Sequence, residues 1–145
     1  MTSIVQPPEN RQGRATMSSA MPSAVRYHKY VYSRIRPHLG RRVWEIGCAS
    51  GYYTRLILED GRSVLATDSD VEMLRETQQS CAAFAECCLD TRQIDLTVEA
   101  DLAACAAWQP DTVVCLNVLE HINDDRASLA FLSKHAAVET RAVFL

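Results

Sequence analysis

Apolar residues along this chain follow two rhythms. Residues 42–46, 63–67, 111–116 and 141–145 are short, largely apolar runs of strand length. Between them apolar positions return every three or four residues, the spacing of a helix with one buried face. Tyr27, Val31, Arg34, Ile35 and His38 predict a first helix starting from Pro22 and ending near Pro37 and Gly40. A second is predicted over 53–59, stopped by Asp60-Gly61. Ser69-Asp70-Val71-Glu72 has the Ser-x-x-Glu form of a capping box, so Ser69 is expected to open a third helix running through Leu74 toward Cys81. The Ala-rich residues 99–108 predict a fourth, and Asn123 or Asp124 caps a fifth that carries Leu129, Leu132 and Ala136. Residues 88–94 are expected to be the remaining strand, although charges break their alternation. Strands alternating with helices imply an α/β domain with a mainly parallel sheet between helical layers. That domain spans residues 22–145, and the Ser-, Pro- and Gln-rich residues 1–21 are expected to be a flexible tail.

The most informative junction is Val43-Trp44-Glu45-Ile46-Gly47-Cys48-Ala49-Ser50-Gly51, where an apolar run meets a turn of small residues. Asp68 closes the next run. In a parallel sheet both features fall at the carboxyl ends of neighbouring strands, where open α/β sheets bind ligands. Gly47 and Gly51 let the backbone turn sharply and approach a nucleoside, and a carboxylate on the adjacent strand tip accepts both hydroxyls of a ribose. Gln93-Ile94-Asp95-Leu96 adds a carboxylate beyond the third strand, and the fourth runs into Asn117-Val118-Leu119-Glu120-His121-Ile122.

In combination, over roughly residues 25–145, these segments resemble the class I S-adenosylmethionine-dependent methyltransferases. The resemblance implies a Rossmann-like three-layer sandwich, S-adenosylmethionine as methyl donor and S-adenosylhomocysteine as product, and an O, N or C acceptor. It further implies that Glu45 orients the loop and faces the methionyl ammonium, that Gly47, Cys48 and Gly51 belong to the cofactor loop, and that Asp68 takes the ribose. Asp95 would accept the adenine amine while the Leu96 amide addresses a ring nitrogen, with Asn117 and Val118 under the cofactor. Ser69 either lines the same pocket or serves as the helix cap. His121 is the candidate catalytic base, needed where the acceptor is protonated. Tyr27 or Tyr30 would come near the methionyl moiety. Some relatives hold a divalent metal with a Glu-x-x-Glu-His segment; Asn117 replaces the first Glu here, and no metal is expected.

Two departures qualify this picture. Ala49 stands where the family has Gly, and a positive φ there would cost about 1 kcal/mol. The family's strand pair after strand five is missing from the sequence, so strand five is expected to be an uncovered edge through which the chain self-associates or meets a partner segment. A nicotinamide oxidoreductase would share the strand-two acid, but it would want Gly where Ala49 and Tyr52 stand. A non-catalytic module that keeps the fold stays open.

Composition narrows the setting. In 145 residues with 48% hydrophobic content there is material for one domain with a real core. A formal charge of -3 gives no global attraction to nucleic acid, and the arginines of the N-terminal half read as a solvated face. Six cysteines without a Cys-x-x-Cys pair read as buried free thiols. With no apolar run of spanning length and no secretory leader, the expected setting is the reducing cytoplasm, away from membranes. His28, His38 and His135 have no partner identifiable from sequence.

Overall fold

The computed structural model describes residues 24–85 and 88–145. The expected tail therefore lies outside the described residues, as does Cys87. Ten principal elements follow one another: α1 (Val25–Ile35), β1 (Arg42–Ile46), α2 (Tyr52–Glu59), β2 (Ser63–Asp68), α3 (Val71–Ser80), β3 (Leu89–Gln93), α4 (Glu99–Ala106), β4 (Thr112–Cys115), α5 (Asp125–His135) and β5 (Arg141–Phe144). All four strand pairings are parallel, in the order β3-β2-β1-β4-β5. The chain lays β1, β2 and β3 outward in one direction, then returns to place β4 on the other side of β1. That reversal opens the crevice at the carboxyl ends of β1 and β4.

The central strands are apolar on both faces because both faces are covered. Val43, Val64, Ala66 and Val114 pack with Val31, Ile35, Ile57, Leu58 and Leu74 of α1, α2 and α3. Trp44, Ile46, Leu65, Val113 and Cys115, one residue out of phase, pack with Leu102, Cys105 and Leu132 of α4 and α5. The result is the expected three-layer sandwich. β3 and β5 are its edges. Among the described residues no helix is long and apolar enough to cross a membrane.

Several boundaries move from their sequence positions. The third helix is capped by Asp70, not Ser69: Asp70 has extended backbone and its side chain accepts from the Glu72 amide at 2.8 Å. β2 runs on to Asp68, so the turn is one residue later than the Ser-x-x-Glu pattern requires. Glu72 pairs instead with Arg75. The fourth helix stops at Ala106, short of Trp108, because Gln109 turns to φ 58°. Of the two candidate caps for the fifth helix, Asp124 serves, accepting from the Ala127 amide at 3.0 Å. In α1 the buried stripe is His28, Val31, Tyr32 and Ile35, whereas Tyr27 and Arg34 face outward and His38 lies in the 3-10 turn Arg36–His38.

The arginines are not merely a solvated face. Arg36 and Arg62 both reach Asp60 at 2.6 Å, and the Tyr32 hydroxyl donates to the same carboxylate at 2.7 Å. This clasp ties α1 to the end of α2. Arg42 lies 4.0 Å over the Trp108 ring, whose Nε1 donates to Asp90 at 2.7 Å. Cys48, Cys81, Cys105 and Cys115 are free and buried and Cys88 is half-buried, as expected of structural thiols.

The Arg36, Tyr32 and Arg62 donors hold the Asp60 carboxyl down at about 2, against an ordinary value of 3.8. A depressed carboxyl contributes stability that is complete above its unfolded value and disappears as pH falls through its folded one. Asp60→Ala is therefore expected to lower stability by about 1 kcal/mol near neutral pH, a figure reduced for the exposed Arg36, and by progressively less between pH 4 and pH 2. Urea unfolding of both proteins across that interval measures it, and a difference independent of pH would assign the loss to packing.

Candidate active site at the carboxyl ends of the strands

The turn after β1 is built from backbone and held from both sides. Gly47 and Cys48 donate their amides to the Thr67 carbonyl at 2.8 and 3.0 Å, and Gly51 donates back to Cys48 at 2.9 Å. Gly47, Ala49 and Gly51 have φ of 75°, 49° and 83°. A Cβ on Gly47 would lie 2.3 Å from Val118 Cγ2, so the loop and the segment after β4 meet only because that position is glycine.

Asp68 fastens this turn. One carboxylate oxygen accepts the Ala49 amide at 3.0 Å and the other accepts the Asp70 amide at 2.9 Å. Burial pushes the Asp68 carboxyl upward against these amides, which pull it down. On the far side of the turn, Thr77 Oγ1 donates to the Ala49 carbonyl at 2.8 Å and Ser80 Oγ to the Ser50 carbonyl at 3.1 Å. Sequence reasoning missed Thr77 and Ser80. Their only signal is position, on the face of α3 shared with Leu74, one and two turns further along.

Glu45 is buried beneath the turn at 3% exposure. Thr54 Oγ1, from the first turn of α2, donates to its Oε2 at 2.5 Å. Burial raises the Glu45 carboxyl to about 8, with the Thr54 hydrogen bond opposing and Asp68 reinforcing the shift. Cys48 is buried beside it, its thiol pushed far up by burial, which makes it an inert part of the loop.

The remaining predicted residues line the same end of the sheet. Asp95 follows β3, one oxygen accepting both the amide and the hydroxyl of Thr97 at 2.9 and 2.7 Å. Leu96 is buried in the second core cluster, and Val118 packs half-buried on its rim. Asn117 is exposed at φ 54°, its amide donating to the Leu145 carbonyl at 2.9 Å. Ser69 lies between Asp68 and the cap, and its carbonyl accepts from Gln93 at 3.0 Å. His121 is exposed in the 3-10 turn Leu119–His121. Among the described residues no group of three His, Cys, Asp or Glu is placed to hold a metal.

Two histidines have partners after all. His28 Nδ1 lies 2.9 Å from the Tyr53 hydroxyl and its ring is 4.6 Å from that of Tyr52, while His135 meets Glu99 at 2.8 Å. Tyr27 packs edge-on to His28, whereas Tyr30 is 64% exposed.

Residues 44–141 match the family model for the methyltransferase domain. The chain belongs to this methyltransferase family. The ubiquinone biosynthesis O-methyltransferase of Xanthomonas axonopodis pv. citri (strain 306) is similar, 32% identical over 101 residues, covering 68% of this chain and 39% of that protein. The DhpI complex with SAH is a structural neighbour at TM-score 0.59 and 26% identity, over 90% of this chain and 59% of that one. Magnesium protoporphyrin IX methyltransferase from Synechocystis PCC 6803, with bound SAH, shares the fold at TM-score 0.56 and 22% identity, over 81% and 52% of the two chains. The chain spans about 39% of the length of the curated relatives it matches.

The positive φ of Ala49 gives a direct test of loop strain. Ala49→Gly in this methyltransferase domain is expected to raise stability by about 0.5–1 kcal/mol, since relief of the left-handed strain outweighs the added freedom of the unfolded chain. Thermal melts of the two proteins decide it, and a lower melting temperature would place the strain elsewhere. A second expectation concerns Glu45, whose carboxyl is raised from 4.5 to about 8 on folding. The folded state then holds a proton that the unfolded state gives up, so stability falls as pH rises from 4.5 toward 8, by up to about 1.4 kcal/mol per pH unit. Glu45→Gln should flatten that slope in urea titrations between pH 5 and pH 9.

Proposed function

We propose that this domain binds S-adenosylmethionine and serves methyl transfer to an O, N or C acceptor. The observation that carries the reading is the order of groups along the carboxyl edge of the sheet: the glycine turn with buried Glu45 at β1, Asp68 at β2 and Asp95 after β3. A ligand with a cationic amine, a ribose and a base bearing an exocyclic amine meets an acceptor at each stage. The donor set fits because each carboxylate keeps acceptor sites beyond those already engaged. Asp68 takes one amide on each oxygen and has lone pairs left for two hydroxyls, and the second Asp95 oxygen is left for an amine.

The bound cofactor would supply a methyl group already activated on a sulfonium. The protein's share is alignment, which the braced turn and the Asp68 anchor provide. The curated relatives are named for O-methyl transfer in ubiquinone biosynthesis, so an oxygen acceptor is the first to test. A hydroxyl acceptor would need to lose a proton, and exposed His121 beyond β4 is the candidate to take it. Nicotinamide dinucleotides are disfavoured because Tyr52 stands where a third glycine would be needed. We also infer a reducing, cytoplasmic setting, which the free buried thiols support.

Calorimetric titration with S-adenosylhomocysteine and with NAD tests this reading, binding of the first alone being expected. Asp68→Ala should weaken the first by about 1.5–3 kcal/mol, the range for hydrogen bonds to a charged group. Tight NAD binding with no response to S-adenosylhomocysteine would reverse the assignment.

A further inference from the structure

Glu45 is an unusual group to find where it lies. It is a carboxyl at 3% exposure, and among the described residues one donor engages it, Thr54 Oγ1 at 2.5 Å. The titratable groups that interact with it are Asp68 from β2, Cys48 from the turn, Tyr53 from α2 with His28 of α1 behind it, and Cys81 after α3, while the paired residue of β4 is the apolar Val114. Asp68 is an acid that disfavours a second negative charge, and the two thiols and the phenol are neutral. The charges that act on Glu45 itself include no cation, and Arg55, which acts on Cys81, is exposed. A buried carboxyl with one neutral donor and no cation beside it stays protonated until a cation arrives.

Thr54 lies three residues past Gly51 and is fully buried. Its hydroxyl has a buried acid as acceptor, and its place in the first turn of α2 ties the Glu45 rotamer to the helix that the glycine turn launches. We propose that Thr54 is a positioning residue of this site: it fixes the Glu45 carboxyl beneath the turn and couples entry of a ligand's ammonium group to loss of the Glu45 proton. In that step the carboxyl O–H bond breaks, the proton passes to solvent, and the carboxylate pairs with the ammonium while keeping the Thr54 hydrogen bond. The inference rests on the cofactor reading above and adds a residue and a proton to it.

The test is calorimetry of S-adenosylhomocysteine binding from pH 6 to pH 9, in buffers of different ionisation enthalpy. The unaltered chain should release close to one proton per ligand near pH 7 and bind more tightly as pH rises. Thr54→Val keeps the volume and removes the donor, and should weaken binding about tenfold at pH 7 and shift the pH profile upward, with a smaller loss at pH 9. Thr54→Ser should restore the original profile. Should the valine variant fail to fold, Thr54→Ala gives the same comparison. On a Glu45→Gln background the profile should be flat and replacement of Thr54 without effect. A folded Thr54→Val with unchanged affinity and profile, or binding without proton release, overturns the proposal and leaves the cofactor reading intact. No binding of S-adenosylhomocysteine by the unaltered chain overturns the cofactor reading instead.

Discussion

One carboxylate holds the binding end of this molecule together. Asp68 bonds the Ala49 amide of the first turn and the Asp70 amide at the start of α3, joining the turn after β1 to the turn after β2. Without that bridge the turn would have to support three alternate positive-φ positions, 47, 49 and 51, with little besides the Thr67 carbonyl and the α3 hydroxyls. Backbone held in the left-handed region persists only where its surroundings over-determine it. Here an acid, a carbonyl and two hydroxyls share that task. The acid at the tip of β2 thus braces the turns after both β1 and β2.

The same economy appears in the interior. The Trp44 indole donates to Thr67 Oγ1 at 3.0 Å, and that hydroxyl donates to the Glu45 carbonyl at 2.8 Å. Threonine at the end of β2 therefore satisfies an indole on one side and a backbone acceptor on the other, within a sheet face that is otherwise apolar. Every such bond is nearly free of water competition, so losing one partner strands the other at a cost of about 1–3 kcal/mol. Buried side-chain nitrogen and oxygen atoms without a partner are absent among the described residues. Trp44, Thr54, Thr67 and Thr77 are consequently as much part of the rigidity of this end of the sheet as the Asp68 carboxylate.

Sequence reading reached the layered α/β architecture and the positions of the glycine turn after β1 and of Asp68 at the tip of β2 because these depend on local chemistry: β-branched runs, small residues at a turn, an acid at a strand end. It misplaced the cap of α3 because Ser69 and Asp70 are both good cap residues, and only the extra residue of β2 pairing, Asp68 opposite Gln93, decides between them. It shifted the buried face of α1 because His28 and Tyr32 are amphipathic. Each hides its ring and satisfies its polar atom on α2, His28 at Tyr53 and Tyr32 at Asp60 and the Leu56 carbonyl. Thr77 and Ser80 were invisible for a related reason, since their acceptors are carbonyls some thirty positions away in sequence and no local pattern encodes that contact.

The segment after β4 shows how the two halves of the sheet come to act as one site. Asn117 takes a left-handed conformation at φ 54°, a state Asn tolerates better than most residues, and so turns the chain back over β1. That turn carries the Val118 side chain onto Gly47, where any larger residue would collide with it. The Asn117 amide is meanwhile fixed by the Leu145 carbonyl, and the Leu145 amide by the Cys115 carbonyl. The position of Val118 over the glycine turn is therefore set jointly by the β1 loop, by the backbone of Asn117 and by the end of β5. Glycine at 47 is required by this protein contact, which sets how closely the turn after β1 and the segment after β4 approach.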